Sequence, residues 1–342
     1  MPEVRPFVYH RATSVDDAIA AVGGDARAAY LAGGTTQLDL MKDGVLAPEL
    51  LVDITRLPLR GIDVLDDVDD GDEVLHVGAL TTMEQLARHP VVSDRLPLLA
   101  QSLLSGASTQ LRNMATIGGN LLQRTRCRYY RDPTIGACNR RLPGTGCAAV
   151  QQTARMHAVL GAGPRCIAVH ASDLAVALVA LDAVVEITGP DGARRVPLRD
   201  FYVPADVDPA REHAIGHGDL VTAIRIPIPA FARNSGYLKV RDRASYEFAA
   251  VSVAAAFDVE HGRVGEARIA FGGIGSVPWR AVEAEELLRG ASVSDTDVGA
   301  AGRAALAGAF TVPGTAFKPE LAIGALVRLA GVLTGTRGAV LV

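Results

Sequence analysis

The apolar positions of this chain alternate between a helical and a strand-like period, and the switches divide it into short elements. Over residues 14–22 they recur every three or four positions behind Ser14. Asp16 and Asp17 occupy the opening turn and Gly23-Gly24 follow, so a capped helix is predicted. Residues 28–32 form a short apolar run, a predicted strand, ending on Gly33-Gly34-Thr35-Thr36; a short helix over 38–42 and a strand over 50–54 come next. The acidic run 63–72 and residues 73–77 predict a hairpin turning at Asp70-Gly71. Helices are predicted over 81–87 and 96–104, followed by a turn region over 106–120. The Ala/Val/Leu run 173–181 predicts a buried helix. Strands follow at 184–188 and 196–198 around a turn at 189–192, then at 220–226, where Pro227 and Pro229 stop the last one.

Residues 227–235 read as a linker. Beyond them, 236–240, 249–259 and 263–272 alternate or run apolar as antiparallel strands, and 282–288 and 320–333 read as amphipathic helices. The fold class is therefore α+β, with a C-terminal unit of antiparallel sheet plus helices. A length of 342 residues allows two or three domains. The net charge of −4 and the lack of a Lys/Arg-rich block exclude nucleic acid as the expected partner. Residues 1–14 hold no apolar run, so no signal peptide is expected, and nothing approaches the ~20 apolar residues of a membrane helix. The expected location is the cytoplasm, or the periplasm if a partner subunit carries the chain out. The run 63–72 lacks the carboxylate spacing of an EF-hand and reads as a solvated turn.

Two glycine turns carry the first candidate chemistry. Leu31-Ala32-Gly33-Gly34-Thr35-Thr36-Gln37-Leu38 follows a strand, and Thr116-Ile117-Gly118-Gly119-Asn120 has the same composition of paired glycines between hydrogen-bonding side chains. Such turns expose backbone N–H groups to a phosphate, although either alone is equally a tight turn. Neither is a Rossmann fingerprint or a P-loop, so a diphosphate gripped between both points to a flavin nucleotide more than to NAD. The four cysteines, Cys127, Cys138, Cys147 and Cys166, fall within forty residues. Four thiolates complete a zinc site or an iron–sulfur cluster, and the neighbouring arginines and glycines suit an anionic centre; buried free thiols are the plain alternative. His213 and His217 have a metal-ligand spacing only if helical, and Gly216 and Gly218 argue for a loop. His157 and His170 read as neighbours of the cysteine segment or as core. No nucleophile elbow or papain-type signature is present, so a hydrolase has no support.

On the turns at 32–35 and 116–120, the Ser172-Asp173-Leu174 triplet and Tyr237-x-Lys239, in this order, the chain resembles the FAD-binding subunits of the xanthine dehydrogenase/aldehyde oxidoreductase family of molybdenum enzymes. Its four-cysteine segment is similar to that of aldehyde oxidoreductase flavoprotein subunits carrying an additional [4Fe-4S] cluster. The 4-hydroxybenzoyl-CoA reductase and xanthine dehydrogenase branches are the alternatives. The resemblance implies a two-lobed, PCMH-type FAD-binding domain, with lobes at 1–58 and 59–229 and an inserted cluster loop at 121–168. A C-terminal domain at 233–342, like that of the CO dehydrogenase flavoprotein, would follow.

The same resemblance implies that residues 31–38, Ala107, Thr109, Thr116, Gly118, Gly119 and Asn120 hold FAD, that Asp173, Val221 and Lys239 contact it, and that the four cysteines ligate the cluster. No catalytic side chain is implied. The partners would be a molybdopterin-binding large subunit and a small [2Fe-2S] subunit, with electrons leaving to an external acceptor. If the cysteine segment is a separate insertion, Cys138→Ser is expected to lose iron while FAD persists. A stand-alone flavin oxidase and a zinc-stabilised binding protein are the readings from other classes.

Overall fold

Three sheets organise the chain in the computed structural model, which describes residues 4–66, 73–292 and 294–338. The first is parallel, with β1 (Val8–Arg11), β2 (Ala28–Leu31) and β3 (Leu50–Asp53) in the order β1-β3-β2. Its crossover helix, Val15–Gly23, starts as the pattern predicts: Ser14 Oγ accepts the Asp17 N–H at 3.0 Å. β1 escapes the hydrophobic pattern because none of its four side chains is buried.

The second sheet is antiparallel. It contains β4 (Ile62–Asp66), β5 (Glu73–Gly78), β6 (Val184–Gly189), β7 (Gly192–Pro197) and β8 (Leu220–Pro227), ordered β4-β5-β8-β6-β7. The predicted Asp70-Gly71 turn lies outside the described residues. The helices Pro97–Ser105 and Asp173–Ala180 lie in the core shared by this sheet and the third one, described next. The second of these helices is buried along nearly its whole length, as its unbroken apolar run demands.

The third sheet comprises β9 (Ser235–Val240), β10 (Val251–Glu260), β11 (Arg263–Gly272) and β12 (Trp279–Arg280), ordered β12-β11-β10-β9. Strand β10 is buried on both faces. Ala254 and Ala256 face the core of the second sheet, while Val253, Ala255 and Phe257 face the helices Val282–Leu288 and Lys318–Leu333. Alternation by two residues thus lets one strand serve two cores. Residues 227–235 are correspondingly not a loose linker. They contain the 3₁₀ turn Ala230–Arg233, with Ala232 fully buried. A helix absent from the pattern, Asp295–Ala305, completes this layer. No helix among the described residues is long and apolar enough to cross a membrane.

Lys318 opens the last long helix with its side chain fully buried, Nζ donating to Gly273 O at 2.6 Å. Burial pulls its pKa from the ordinary 10.5 down to about 7. The unfolded chain therefore binds more protons there, so this site's contribution to stability rises as pH climbs from about 7 to about 10.5. Lys318→Met is expected to flatten that rise. Its stability relative to the natural chain, read from urea midpoints, should be more favourable at pH 7 than at pH 10; an equal difference at both would place the ammonium outside the core.

Candidate functional site

The first glycine turn leaves β2 after Leu31, whose carbonyl accepts the Ile54 N–H at 3.0 Å, and enters the helix Gln37–Lys42. Among the described residues, the N–H groups of residues 32–37 donate to no protein acceptor, and all six residues are only half-buried. Six adjacent backbone donors without a protein acceptor make a surface able to receive an anion. Thr36 stands at the helix N-cap without making a capping bond, and Gln37 Nε2 is buried without a partner. Gly34 has φ +72°, the left-handed region that favours glycine. Leu31 and Leu38 pack beside it.

The role of Gly33 differs from the expectation of room for a phosphate. A Cβ there would lie 2.0 Å from the Met114 carbonyl oxygen. The space belongs to the backbone of the second segment, so the two turns meet directly.

That second segment, expected as one open turn over 106–120, contains two helical turns. Ala107 has φ +52°, and the N–H groups of residues 107–110 donate to no acceptor among the described residues. Arg112, buried, donates from NH1 to Gly106 O at 3.0 Å, from Nε to Glu84 Oε2 at 2.7 Å and from NH2 to the Thr109 hydroxyl at 3.1 Å. This arginine, which carries no sequence motif, fixes the turn.

In the Thr116–Asn120 stretch the N–H groups of residues 117–120 all have protein acceptors, whereas that of Thr116 has none among the described residues. Thr116 Oγ1 caps the helix Ile117–Leu121 by accepting the Gly119 N–H at 3.2 Å, and the Gly118 N–H donates to Ala79 O at 2.9 Å. Asn120 Nδ2 donates to Met83 Sδ, and its Oδ1 accepts from Ser172 Oγ at 2.5 Å. The stretch buttresses Met114 and Ala115 against Gly33.

Asp173 and Lys239 are spent on each other. Lys239 Nζ lies 2.8 Å from Asp173 Oδ2 and 3.1 Å from Ser105 O, and Tyr237 OH donates to Asp173 Oδ1 at 2.6 Å. The helix cap is Ser172, with Asp173 the first helical residue. A Cβ at Gly106 would stand 3.4 Å from Asp173 Oδ2, so this buried network braces the 106–110 turn from behind. Val221 is core, opposite Ile187 on β6; its neighbour Thr222 accepts the Ala79 N–H at 2.9 Å.

All four cysteines share one core with Leu40, Tyr129, Tyr130, Ala149 and Ile167. Cys138 and Cys147 face each other across an antiparallel bridge. His157 Nε2 is 3.2 Å from Cys127 Sγ; Arg140 NH2 is 3.9 Å from Cys166 Sγ, while Arg140 NH1 holds Glu212 at 2.9 Å. Burial pushes the Cys127 thiol up to about 11, whereas a hydrogen bond from Cys147, reinforced by the Arg140 charge, pulls Cys166 down to about 6. Among the described residues no three Cys, His, Asp or Glu side chains form a group arranged to hold a metal ion. The expected ligand set is thus gathered in one core as four free thiols, with burial raising the Cys127 pKa and Cys147 together with Arg140 lowering that of Cys166. His213 packs on the Phe201 and Tyr202 rings, while His217 meets Val22 O at 2.8 Å, so these two form no metal pair.

Family models described as the FAD binding domain in molybdopterin dehydrogenase and the CO dehydrogenase flavoprotein C-terminal domain match residues 4–229 and 236–328. The aldehyde oxidoreductase FAD-binding subunit of Escherichia coli is 44% identical over 86% of this chain and 90% of its own. The carbon monoxide dehydrogenase medium chain of Afipia carboxidovorans is 30% identical over 90% of this chain and 87% of its own. Among solved structures, CO dehydrogenase from Oligotropha carboxidovorans superposes with a TM-score of 0.75 at 26% identity, covering 98% of this chain and 100% of that one.

The contact at Gly33 yields a stability test. Gly33→Ala must separate backbone from backbone and is expected to cost about 3 kcal/mol or more. Gly136→Ala, with open space around its Cβ, should stay within about 0.5 kcal/mol of the natural chain. Equal denaturation midpoints for both variants would show that the two turns do not meet.

Proposed function

The chain belongs to the FAD-binding subunits of the molybdenum hydroxylase family, which are oxidoreductases, and from that premise we propose that it is the FAD and [4Fe-4S] electron-transfer subunit of a three-subunit aldehyde oxidoreductase. The observation that carries the flavin part is the run of unsatisfied donors over residues 32–37, joined through Gly33 to a second run over 107–110. In this reading residues 31–38, Ala107 and Thr109 receive the diphosphate and ribityl chain, held between lobes at 1–58 and 59–229. The buried Gln37 Nε2 gains its missing acceptor there. Thr116, Gly118, Gly119 and Asn120 keep the two turns closed, and Asp173 and Lys239 brace the second from behind. When bound, FAD supplies the redox chemistry, and the chain's residues supply binding and electrostatics.

The cysteine core supports the cluster by its donor chemistry. Four soft thiols gather in or against one core, and Arg140 NH2 lies 3.9 Å from Cys166 Sγ. Release of the thiol protons on metal binding would free these side chains from their present hydrogen bonds. Substrate oxidation belongs in this reading to a molybdopterin-binding large subunit, with a small [2Fe-2S] subunit between it and this FAD, and an external acceptor beyond. The higher identity to the aldehyde oxidoreductase subunit than to the CO dehydrogenase chain supports an aldehyde as the substrate class.

Zinc would use the same thiolates, so metal analysis decides. Anaerobic purification is expected to give a brown-yellow protein with about four irons and four sulfides per flavin. A zinc-loaded, iron-free product would overturn the cluster, and a flavin-free one the FAD site. Cys138→Ser is expected to lose the iron; unchanged iron content would remove Cys138 from the ligand set.

A further inference from the structure

Two arginines that flank Cys127 hold the helix that starts the proposed flavin cradle. Asp39, in the first turn of the helix Gln37–Lys42, accepts at Oδ2 from Arg126 NH1 at 3.0 Å and from Arg131 NH1 at 2.6 Å. Arg131 NH1 also lies 3.2 Å from Asp43 Oδ2, and its Nε donates to Thr125 O at 3.2 Å. The next residue, Leu40, is fully buried in the core formed by Cys127, Cys138 and Cys166. Arg126 additionally lies over the Phe248 ring, 5.1 Å from its centroid, which ties in the loop between β9 and β10.

These contacts join a half-exposed carboxylate to two guanidiniums that lie deeper. Arg126 and Arg131 are largely buried, and their Nε and NH2 atoms respectively have no partner. Asp39 is the carboxylate that compensates Arg126, so neutralising it leaves a desolvated guanidinium seeking another position. The helix would then be released on the side where its N-terminal neighbours carry the free N–H groups.

We infer that Asp39 is a positioning residue for FAD and that, through its arginine clamp, the cysteine core and the flavin cradle form one energetic unit rather than a cofactor site plus a detachable insertion. The inference rests on the flavin and cluster readings above. It replaces the expectation that FAD survives loss of the cysteine centre: disturbing the core displaces Arg126 and Arg131, and with them the 32–37 turn. Coupling of this kind is reciprocal, so FAD would in turn favour the ordered cysteine core.

The test is a double-mutant cycle on the full chain, with FAD binding to deflavinated protein followed by flavin fluorescence and iron measured in parallel. Asp39→Asn should weaken FAD binding about tenfold while iron is retained, and Asp39→Glu, which keeps the charge, should recover most of the affinity. Cys138→Ser should weaken FAD binding in the natural background but add little in the Asp39→Asn background, because the clamp is already open. Arg131→Met provides a second route to the same loss should Asp39→Asn fold poorly. Natural FAD affinity in folded Asp39→Asn or Arg131→Met, or equal and additive effects of Cys138→Ser in both backgrounds, would overturn the inference. Failure of the natural chain to bind FAD would instead overturn the flavin reading, and absence of iron from it the cluster reading.

Discussion

Gly33 and the Met114 carbonyl approach so closely that no methyl group fits between them, and the site is built outward from that contact. It joins two segments about eighty residues apart in sequence and lets two stretches of free backbone donors act together. The second sheet holds it in place. Thr222 of β8 accepts from Ala79, Ala79 accepts from Gly118, and Thr81 accepts from Ile117, so each rung fixes the next. Ala115 is anchored by the Met83 N–H at 2.9 Å. These backbone bonds tie the cradle to the central strand of the second sheet.

The cysteine segment is held by charge and hydrogen bonding more than by apolar bulk. Its core is rich in alanine and thiols, and arginines do the fastening: Arg141 donates from NH1 to Tyr129 O and Tyr130 O at 2.6 Å each, and Arg140 spans Glu212 and Cys166. Glu212 and Asp39 return the opposite charge from outside the segment. Positive charge beside sulfur favours the thiolate, the form that binds metal. Arg141 therefore orders the loop, and Arg140 both orders it and lowers the Cys166 pKa.

Legibility in the sequence followed burial. The helix at Val15–Gly23 and most strands of the second and third sheets are visible because their apolar positions repeat at the right period, and the helix at Asp173–Ala180 because its apolar run is unbroken. β1 is not, since no side chain of it is buried, and the helix Asp295–Ala305 is not, since the face it buries is largely alanine. At the site, glycine content marked both turns but not their division of labour. Which N–H groups are free depends on Ala79, Thr81 and Arg112, none of which lies in a motif. The Asp39 clamp was equally hidden, because Asp39 and Arg126 are 87 residues apart. Side-chain pairing at that range leaves no periodic trace.

The position of β8 at the centre of the second sheet sets the timing of assembly during synthesis. It lies between β5 and β6, yet it is the last of the five strands to be made. Until residues 220–227 are made, β5 can pair with β4 on one edge while its other edge lacks its partner β8. At ~5–20 residues per second the ribosome leaves that edge open for roughly ten to thirty seconds. Long-range pairing of this kind is slow to form and exposed to aggregation while it waits. The backbone bond from Ala79 to Thr222 that supports the donor-rich turns can therefore form only after β8 has been made.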